Sequence, residues 1–516
     1  MAACAAVRIT PTHSVATWVF FRLLGVVYVC AFASLATQIV GLVGHDGVLP
    51  AHLYMEAARS FAASEQLGLD RFRILPTLCW IGTSDLFLRG LCLTGVVLAG
   101  LLVAGITPIV ILPILWLDYL SLMVVGRDFL SFQWDALLLE TGLLAIALAP
   151  VVWRDRWSAR AAPPRLAVWL MLWLLFRLML GSGLVKLASG DPTWRSLTAL
   201  LYHYETQPIP TPLAWYAHQM PVWFQKASTL ATFGIELVVP FVIVGPRRLR
   251  WAGFVLLVGL QMIIAAAGNY AFFNLLTASL CMFLLDDEML DVPALKGRLA
   301  AAKGPPDDQT GGKPAVVGRP FKGRLSNALA IAIAVVTVPV SVVAFTRSVG
   351  LPLPIEIFVS PLEQLISPLR SVNSYGLFAV MTTTRPEIIV EGSDDGVTWL
   401  PYEFKYKPGD LHRRPPWVAP HQPRLDWQMW FAALGRYENE EWFRAFCIRL
   451  LDGTPDVRHL LAHDPFAGRT PKYVRGELYR YRFSDWETGR RDGVWWTRER
   501  LGEYSPALSL GREPVR

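Results

Sequence analysis

The feature that most constrains this 516-residue chain is a series of apolar runs, each long enough to cross a hydrocarbon layer about 30 Å thick. Inside lipid, backbone polar groups must find partners within their own segment, so such runs form helices. We therefore predict a polytopic α-helical membrane bundle of about nine spans. The predicted spans are 15–43, 86–106, 107–125, 134–152, 165–189, 224–244, 251–267, 270–286 and 325–347.

Lysine and arginine in short loops indicate how the bundle is oriented, because such residues are retained on the cytoplasmic side. They concentrate in three segments: 154–165, 247–250 and the Gly/Pro-rich linker 287–324. With nine spans, all three lie on one side, which we assign to the cytoplasm. The predicted organisation is a bundle over 1–286 with outer loops 44–85 and 190–223, a flexible cytoplasmic linker 287–324, a last transmembrane helix 325–348, and a C-terminal domain 349–516 on the outer or lumenal side.

The net charge of +7 does not indicate nucleic-acid binding, because the basic residues lie mainly in inter-helix loops and form no stripe. The six cysteines include no CxxC pair. Cys447 is the single cysteine of the C-terminal domain, so that domain cannot hold an internal disulfide. We expect no cofactor.

The C-terminal region changes character and predicts an α+β domain with antiparallel strands. A short amphipathic segment, 355–366, is expected at the membrane interface. Gly392 to Gly396 form a strong hairpin-turn signal between two strand-like runs. The predicted strands are 375–381, 387–391, 398–405, 473–483 and 493–500, and the predicted helices are 424–435, 438–452 and 454–462.

The tryptophans of this domain are expected mainly in its core, since Trp427 and Trp430 follow helical spacing. Trp495 and Trp496 are adjacent in a predicted strand and must point to opposite faces. One of the two therefore faces outward, where it is available to a client protein.

Charged residues inside predicted spans cost roughly 2.5–3.5 kcal/mol each at a helix centre, so we expect them to face the bundle and pair. The simplest neutral arrangement pairs Arg177 with Glu236 or Glu140, and it locks the bundle. The members of this predicted polar core are Asp118, Glu140, Arg177 and Glu236, with Arg22 in the first span.

Lys186 follows Gly181-Ser182-Gly183 near the outer end of the fifth span. We expect it to snorkel to the outer surface; the alternative is a desolvated lysine acting as base or nucleophile with His203 and Glu205. It can share a cavity with Arg177 only if the glycines bend the helix. His203 and Glu205 are two residues apart, a poor spacing for one ion, so we predict no metal site.

Several long motifs resemble the lipase maturation factor family, among them "FRLMLGSGLVKLASGD", "SVNSYGLFAVMTTTRPEIIVEG", "RLDWQMWFAAL" and "WWTRERLGEYSPALSL". A fainter likeness, confined to the helices, extends to the membrane domain of vitamin K-dependent carboxylases. The motif positions are Gly181, Gly183, Lys186, His203, Tyr204, Glu205, Gln207, Pro208, Asn373, Tyr375, Gly376, Lys405, Lys407, Asp410, Asp426, Trp427, Trp430, His463, Pro465, Phe466, Arg475, Trp495 and Trp496.

The resemblance implies a membrane-resident folding factor for exported client proteins, with lipases as clients in the animal members. Tyr406 and Pro416 stand where those members carry cysteines, so a disulfide there is not carried over. The alternative is a membrane enzyme acting on a lipid or quinone-like substrate around Arg177, Lys186, His203 and Glu205. Expected partners are membrane lipid and a client protein. Composition favours a bacterial inner membrane over the endoplasmic reticulum, and the oligomeric state stays open.

Overall fold

The computed structural model describes residues 12–156, 162–290, 320–466 and 468–511. Within these ranges, seven helices are long and apolar enough to cross a membrane. The chain is therefore an integral membrane protein. The helices of the bundle are α1 Ser14–Ala36, α2 Asp85–Val103, α3 Pro108–Gly126, α4 Gln133–Leu148, α5 Arg165–Ala188, α6 Val222–Leu237, α7 Arg247–Ala267, α8 Phe273–Cys281 and α9 Pro320–Ser348.

The predicted count of nine spans is not confirmed, because α4 and α8 are not among the seven; α6 is, since the 3₁₀ turn Val239–Val244 extends it to 23 residues. Helix α4 has 16 residues. Helix α8 has nine and is continued by a 3₁₀ turn, Met282–Leu284. The break between the second and third predicted spans is a tight turn with Pro108 at the first helical position, where a missing N–H costs nothing.

The segments that connect the helices fall into two groups, which lie at opposite ends of the bundle. At one end, here called the basal end, Arg22 pairs with Asp155 at 2.6 Å. There, too, Arg250 pairs with Asp286 at 2.6 Å. The opposite end, here called the docking end, carries the C-terminal domain: Gln38 after α1 donates to the carbonyl of Gln422 at 2.8 Å.

Short helices connect the spans at the docking end and after α9. Those before α5 are Ile39–Val43, Ala51–Ser64 and Asp70–Ile74, and those after it are Pro192–Arg195, Ala199–Thr206 and Pro212–His218. The helix Glu356–Ile366 follows α9 and exposes Ile357 and Phe358 at 80% and 84%. An exposed apolar face of this size is typical of a helix lying in the membrane interface.

The C-terminal domain has a four-stranded antiparallel sheet in the order β2-β1-β5-β6 and a two-stranded pair β3-β4. Its helices are Arg424–Leu434, Glu441–Asp452, Pro455–Arg458 and Trp486–Asp492. The strands are β1 Arg385–Ser393, β2 Leu400–Pro401, β3 Glu403–Phe404, β4 Leu461–His463, β5 Tyr473–Phe483 and β6 Trp496–Leu508. The domain therefore has antiparallel strands with helices, as predicted.

Four of the predicted secondary-structure elements differ from the structure. The predicted strand 398–405 is two short strands, β2 and β3, which belong to different sheets. Residues 375–381 form no strand, because their backbone groups bond to side chains of the bundle. The last strand begins at Trp496, since the helix Trp486–Asp492, capped by the Asp485 carboxylate and closed by left-handed Gly493, occupies the residues before it. The helix expected over 454–462 is one turn, Pro455–Arg458.

Bundle and C-terminal domain share one continuous hydrophobic core. Trp134 of α4 and Trp427 of the helix Arg424–Leu434 lie edge to face with ring centroids 4.7 Å apart. Phe129 contacts Trp442 in the same way at 5.8 Å. Aromatic pairs of this geometry stabilise by about 0.5–1.5 kcal/mol beyond the area they bury, so the domain is built onto the bundle rather than tethered to it.

Candidate functional site

Helix α5 carries two buried cations, Arg177 and Lys186, and directs them to different neighbours. Arg177 bonds to the Glu140 carboxylate of α4, whereas Lys186 Nζ lies 2.7 Å from a carboxylate oxygen of Glu236 on α6. The helix runs without interruption from Arg165 to Ala188, and the two cations pair with different acids. Of the two acids predicted for Arg177, the structure selects Glu140.

Gly183 in α5 and Gly376, beside α5, lie where neighbouring side chains pack closely. A Cβ on Gly183 would lie 2.6 Å from the side chain of Leu237 in α6. A Cβ on Gly376 would lie 2.4 Å from Val185 of α5. Both distances are far inside van der Waals contact, so a side chain at either position would require Leu237 or Val185 to move.

The Arg177 cluster reaches beyond the bundle into residues 371–381, here called the docking strip. Arg177 Nη1 donates to the carbonyl of Asn373 at 2.9 Å. Glu140 Oε2 accepts from the Asn373 amide at 3.1 Å and from the Tyr375 hydroxyl at 2.7 Å. A buried ion pair is favourable only when further hydrogen bonds satisfy its lone pairs and protons, and here the docking strip supplies several of them.

A second buried ion pair joins the bundle to the C-terminal domain, and the sequence analysis missed it. Arg424 donates to both oxygens of Asp135, at 2.9 and 2.8 Å, and to the carbonyl of Phe129 at 2.7 Å. Arg424 and Asp135 are each fully buried. The signal in the sequence was a charged residue at the start of each of two apolar helices.

A third buried cation, Arg385 at the start of β1, holds the loop after the helix Ala199–Thr206. Its guanidinium donates to the carbonyls of Glu205 at 2.7 Å and Pro208 at 2.6 Å, and it pairs with Glu387. Lys407 pairs with the other Glu387 oxygen at 2.9 Å. Outer loop and sheet therefore form one polar junction.

The expectation that Lys186 snorkels is wrong. Its side chain is buried, and its ammonium also donates to the Ser182 carbonyl at 2.9 Å. Both carboxylate oxygens of Glu236 lie within 2.9 Å of Lys186 Nζ, so the ammonium does not need to reach water. Burial is tolerated because the ammonium is paired and hydrogen-bonded.

A cavity of about 520 Å³ lies beside this pair, enclosed by α5, α6, α7, α8 and the helix Ala199–Thr206. Lys186 and His203 line it, as the enzyme hypothesis requires, but Arg177 and Glu205 do not. The polar groups of the lining include Ser182, Lys186, His203, Glu236, Gln261, Tyr270 and Asn274.

His203 stays neutral at physiological pH. Burial, together with the nearby positive charge of Lys186, lowers the pKa of His203 to about 4. Its Nε2 lies 3.3 Å from the hydroxyl of Tyr270, which donates to Gln207 at 2.8 Å. The imidazole is therefore a neutral hydrogen-bonding group of the cavity wall.

Glu205 points away from the cavity and caps a strand. Its carboxylate accepts from the Phe483 amide at 2.8 Å and lies 3.8 Å from His218. Among the described residues, no three His, Cys, Asp or Glu side chains are grouped so as to hold a metal ion.

Asp118 is buried in α3, and neither of its oxygens has a hydrogen-bond partner among the described residues. It is therefore not part of the Arg177 pair, and its role in the predicted polar core stays a prediction. The partner of Arg22 is Asp155 at the basal end, outside that core.

Many of the motif positions lie at the junction of bundle and domain. Gly376 donates to the Gln133 side chain, and Trp430 donates to the Thr206 carbonyl at 2.9 Å. Asp426 accepts hydrogen bonds from the backbone amides of Tyr406 and Lys407. Burial raises the pKa of Asp426, although these two hydrogen bonds act to lower it. Other motif positions lie within the domain. Lys405 donates to the His459 carbonyl, Asp410 accepts from the His412 amide, and Arg475 pairs with Glu391. His463 lies in β4, Pro465 follows β4, and Phe466 is buried.

The adjacent tryptophans differ in burial, although only Trp496 lies in a strand. Trp496 is buried, and Trp495 is half-buried against the outer loop, 5.4 Å from Trp215. Trp486 and Tyr216 lie beside it and are 48% and 40% exposed. We name Tyr216, Trp486 and Trp495 the aromatic patch.

Comparisons with known proteins match nearly the whole chain. A family model described as the lipase maturation factor transmembrane domain matches residues 15–292, and one described as the lipase maturation factor C-terminal domain matches 371–506. Lipase maturation factor 2 of Xenopus tropicalis is 38% identical, over 94% of this chain and 81% of its own length. The human lipase maturation factor 2 is 38% identical over 95% and 82%.

Lipase maturation factor 1 of Bos taurus is likewise 38% identical, over 95% of this chain and 88% of its own length. No solved structure matches the chain. The two matched regions correspond to the bundle and to the domain built on its docking end.

Proposed function

This chain belongs to the lipase maturation factor family, and from that premise we propose that it is a membrane-anchored factor that helps exported lipases reach their folded, assembled state. The observation that carries the proposal is the similarity to proteins named lipase maturation factor over 94–95% of the chain. Similarity of that extent covers the bundle and the domain together, so it does not reflect a shared membrane anchor alone.

We place the C-terminal domain on the face away from the cytoplasm, in the endoplasmic reticulum lumen or the periplasm. Basic residues 154–156 and 247–250 lie at the basal end, and the domain lies at the docking end. Retention of such residues in the cytoplasm then leaves the domain on the exported side, where a lipase client folds.

The client surface that we propose is the aromatic patch. Tryptophan, tyrosine and arginine dominate the binding energy of protein interfaces, and Arg414 lies over the Trp495 ring at 5.7 Å. The patch is supported from below by buried Trp215, which contacts Trp486 at 4.9 Å. Such a supported surface loses little side-chain entropy when a partner binds.

The test is a double change, Trp486→Ser with Trp495→Ser, in cells that secrete a dimeric lipase. We expect lipase activity per secreted lipase to fall at least tenfold, since hot-spot residues contribute about 2 kcal/mol or more each. The matched control is Trp417→Ser, a 57% exposed tryptophan of the same domain outside the patch. Equal activity in both variants, at equal protein level, would contradict the proposed surface.

The alternative of a membrane enzyme stays a prediction, and one observation favours it: Lys186 and His203 line one cavity. Against it, the Lys186 nitrogen is already held by Glu236 at 2.7 Å and by the Ser182 carbonyl at 2.9 Å. If Lys186→Met with Glu236→Leu removes lipase maturation in a stable protein while the patch variant does not, the enzyme reading replaces the chaperone reading.

A further inference from the structure

The cavity between α5, α6, α7 and α8 is built mostly from apolar side chains. Its volume of about 520 Å³ lies within the range of roughly 300–1,000 Å³ typical of small-ligand sites. Leu178, Leu260, Ile264 and Phe273 are among the apolar lining residues. An apolar space of this size favours a hydrocarbon occupant over water, which requires several polar partners.

The exposed members of the lining lie in two places. Phe224 of α6 and Ile263 of α7, at 38% and 65% exposure, are on membrane-spanning helices, and Leu213, Tyr216 and Met220 are in the connection at the docking end. Both helices have the length and hydropathy of membrane spans. The exposed positions on these two helices give an acyl chain of the surrounding bilayer a route into the cavity.

Two amides in the wall lack hydrogen-bond partners. Gln261 and Asn274 are 5% and 7% exposed, and their side-chain oxygens have no partner among the described residues. Leaving a buried polar group without a hydrogen bond is unfavourable. A hydroxyl group can both donate and accept a hydrogen bond. A ligand hydroxyl near Gln261 and Asn274 therefore bonds to either the oxygen or the nitrogen of each side-chain amide.

The charges of the described lining cancel. Lys186 and Glu236 pair with each other, and His203 is neutral at physiological pH. A charged head group would find no unpaired opposite charge in the lining, and burying it would cost far more than burying a hydroxyl. The wall is therefore matched to a neutral polar head.

We propose that this cavity binds one acyl chain of a neutral glycerolipid taken from the surrounding bilayer, with a free glycerol hydroxyl bonded to Gln261 and Asn274. The ligand class is an acylglycerol with at least one free hydroxyl. This inference goes beyond lipase maturation and does not depend on it, because it rests on the cavity alone.

The test uses the full chain in phosphatidylcholine nanodiscs and two photoreactive probes with the same diazirine-bearing acyl chain. One probe is a diacylglycerol and the other a phosphatidylcholine. We expect the diacylglycerol to label peptides of α6, α7 and α8 with an apparent Kd about tenfold lower than the phosphatidylcholine. Equal labelling by both probes, or labelling confined to surfaces outside these helices, would overturn the proposal.

Two variants identify the contacts. Gln261→Leu with Asn274→Leu removes both amides, so diacylglycerol labelling should weaken about tenfold while the lipid-free protein unfolds at an unchanged or higher temperature. Ser228→Phe fills the cavity and should abolish labelling, whereas Leu230→Phe, on an exposed lipid-facing position of the same helix outside the lining, should not. Undiminished labelling in the amide variant, or equal labelling of the two phenylalanine variants, would contradict the site.

Discussion

Helix α5 buries two cations, Arg177 and Lys186, in different surroundings. Around Arg177, Asn373 and Tyr375 of the docking strip add hydrogen bonds to both members of the ion pair, and Arg177 Nε is the one buried atom of the guanidinium without a partner among the described residues. Around Lys186, the pair with Glu236 is complete, but the neighbouring wall leaves space and two unpartnered amides. The Arg177 pair is covered by the docking strip, whereas the Lys186 pair borders the cavity. The first arrangement joins the docking strip to the bundle, and the second leaves space for the ligand that we propose.

The largest expected effect comes from removing Arg177 from its ion pair with Glu140. Arg177→Met leaves Glu140 buried and unpaired, which in proteins generally costs about 3–5 kcal/mol. We expect little folded protein in the membrane, measured as the detergent-extracted monodisperse fraction. The docking strip should also loosen, giving faster amide exchange over 371–381.

The double variant Arg177→Met with Glu140→Leu should recover part of that loss, since replacing a buried pair by apolar residues is often near neutral. Arg177→Met with Glu236→Leu is the matched control and should recover none, because Glu236 pairs with Lys186. Equal recovery by both acids would show that the two regions are not separate.

An intermediate effect is expected from the Lys186 pair. Lys186→Met should cost roughly 2–3 kcal/mol, at the lower limit for a broken buried pair, because the adjacent cavity gives Glu236 space for water. Adding Glu236→Leu should return the free energy of unfolding in mixed micelles to within about 1 kcal/mol of the original. A cost for Lys186→Met as large as that for Arg177→Met would remove the distinction between the regions.

The smallest effect concerns pH and the cavity wall. The pKa of His203 is lowered to about 4, whereas an unfolded chain protonates histidine near 6.5. The stabilisation from neutral His203 is therefore full above about pH 6.5 and is lost as the pH falls toward 4. His203→Asn should reduce the loss of stability between pH 7 and 4.5 by about 1–3 kcal/mol.

His421 provides the control for this pH experiment. Burial, with Arg424 and Lys405 nearby, lowers the pKa of His421 to about 4 as well, but this residue lies at the junction with the domain. His421→Asn should flatten the same part of the stability profile without changing lipid labelling of the cavity. If His203→Asn leaves the profile unchanged, the wall around His203 is hydrated rather than apolar.

The sequence predicted which residues of the membrane region would need partners, and in part which partners. Arg177 with Glu140 was one of two predicted choices, and Lys186 with Glu236 was not foreseen because snorkelling was expected. Arg424, Asp135 and Arg385 were missed. Each bonds across more than 170 positions of sequence, to groups that no local pattern connects with it.

The sequence by itself determined the helices and most strands, because hydropathy and the two side-chain periods are local properties. Trp496 is more buried than Trp495, as expected, but the strand begins at Trp496, so the alternation rule used for that prediction does not apply to the pair. Only the tertiary structure decided that residues 371–381 bond to the bundle instead of forming a strand. It also decided that the cavity lies beside Lys186, because both depend on how helices distant in sequence approach each other.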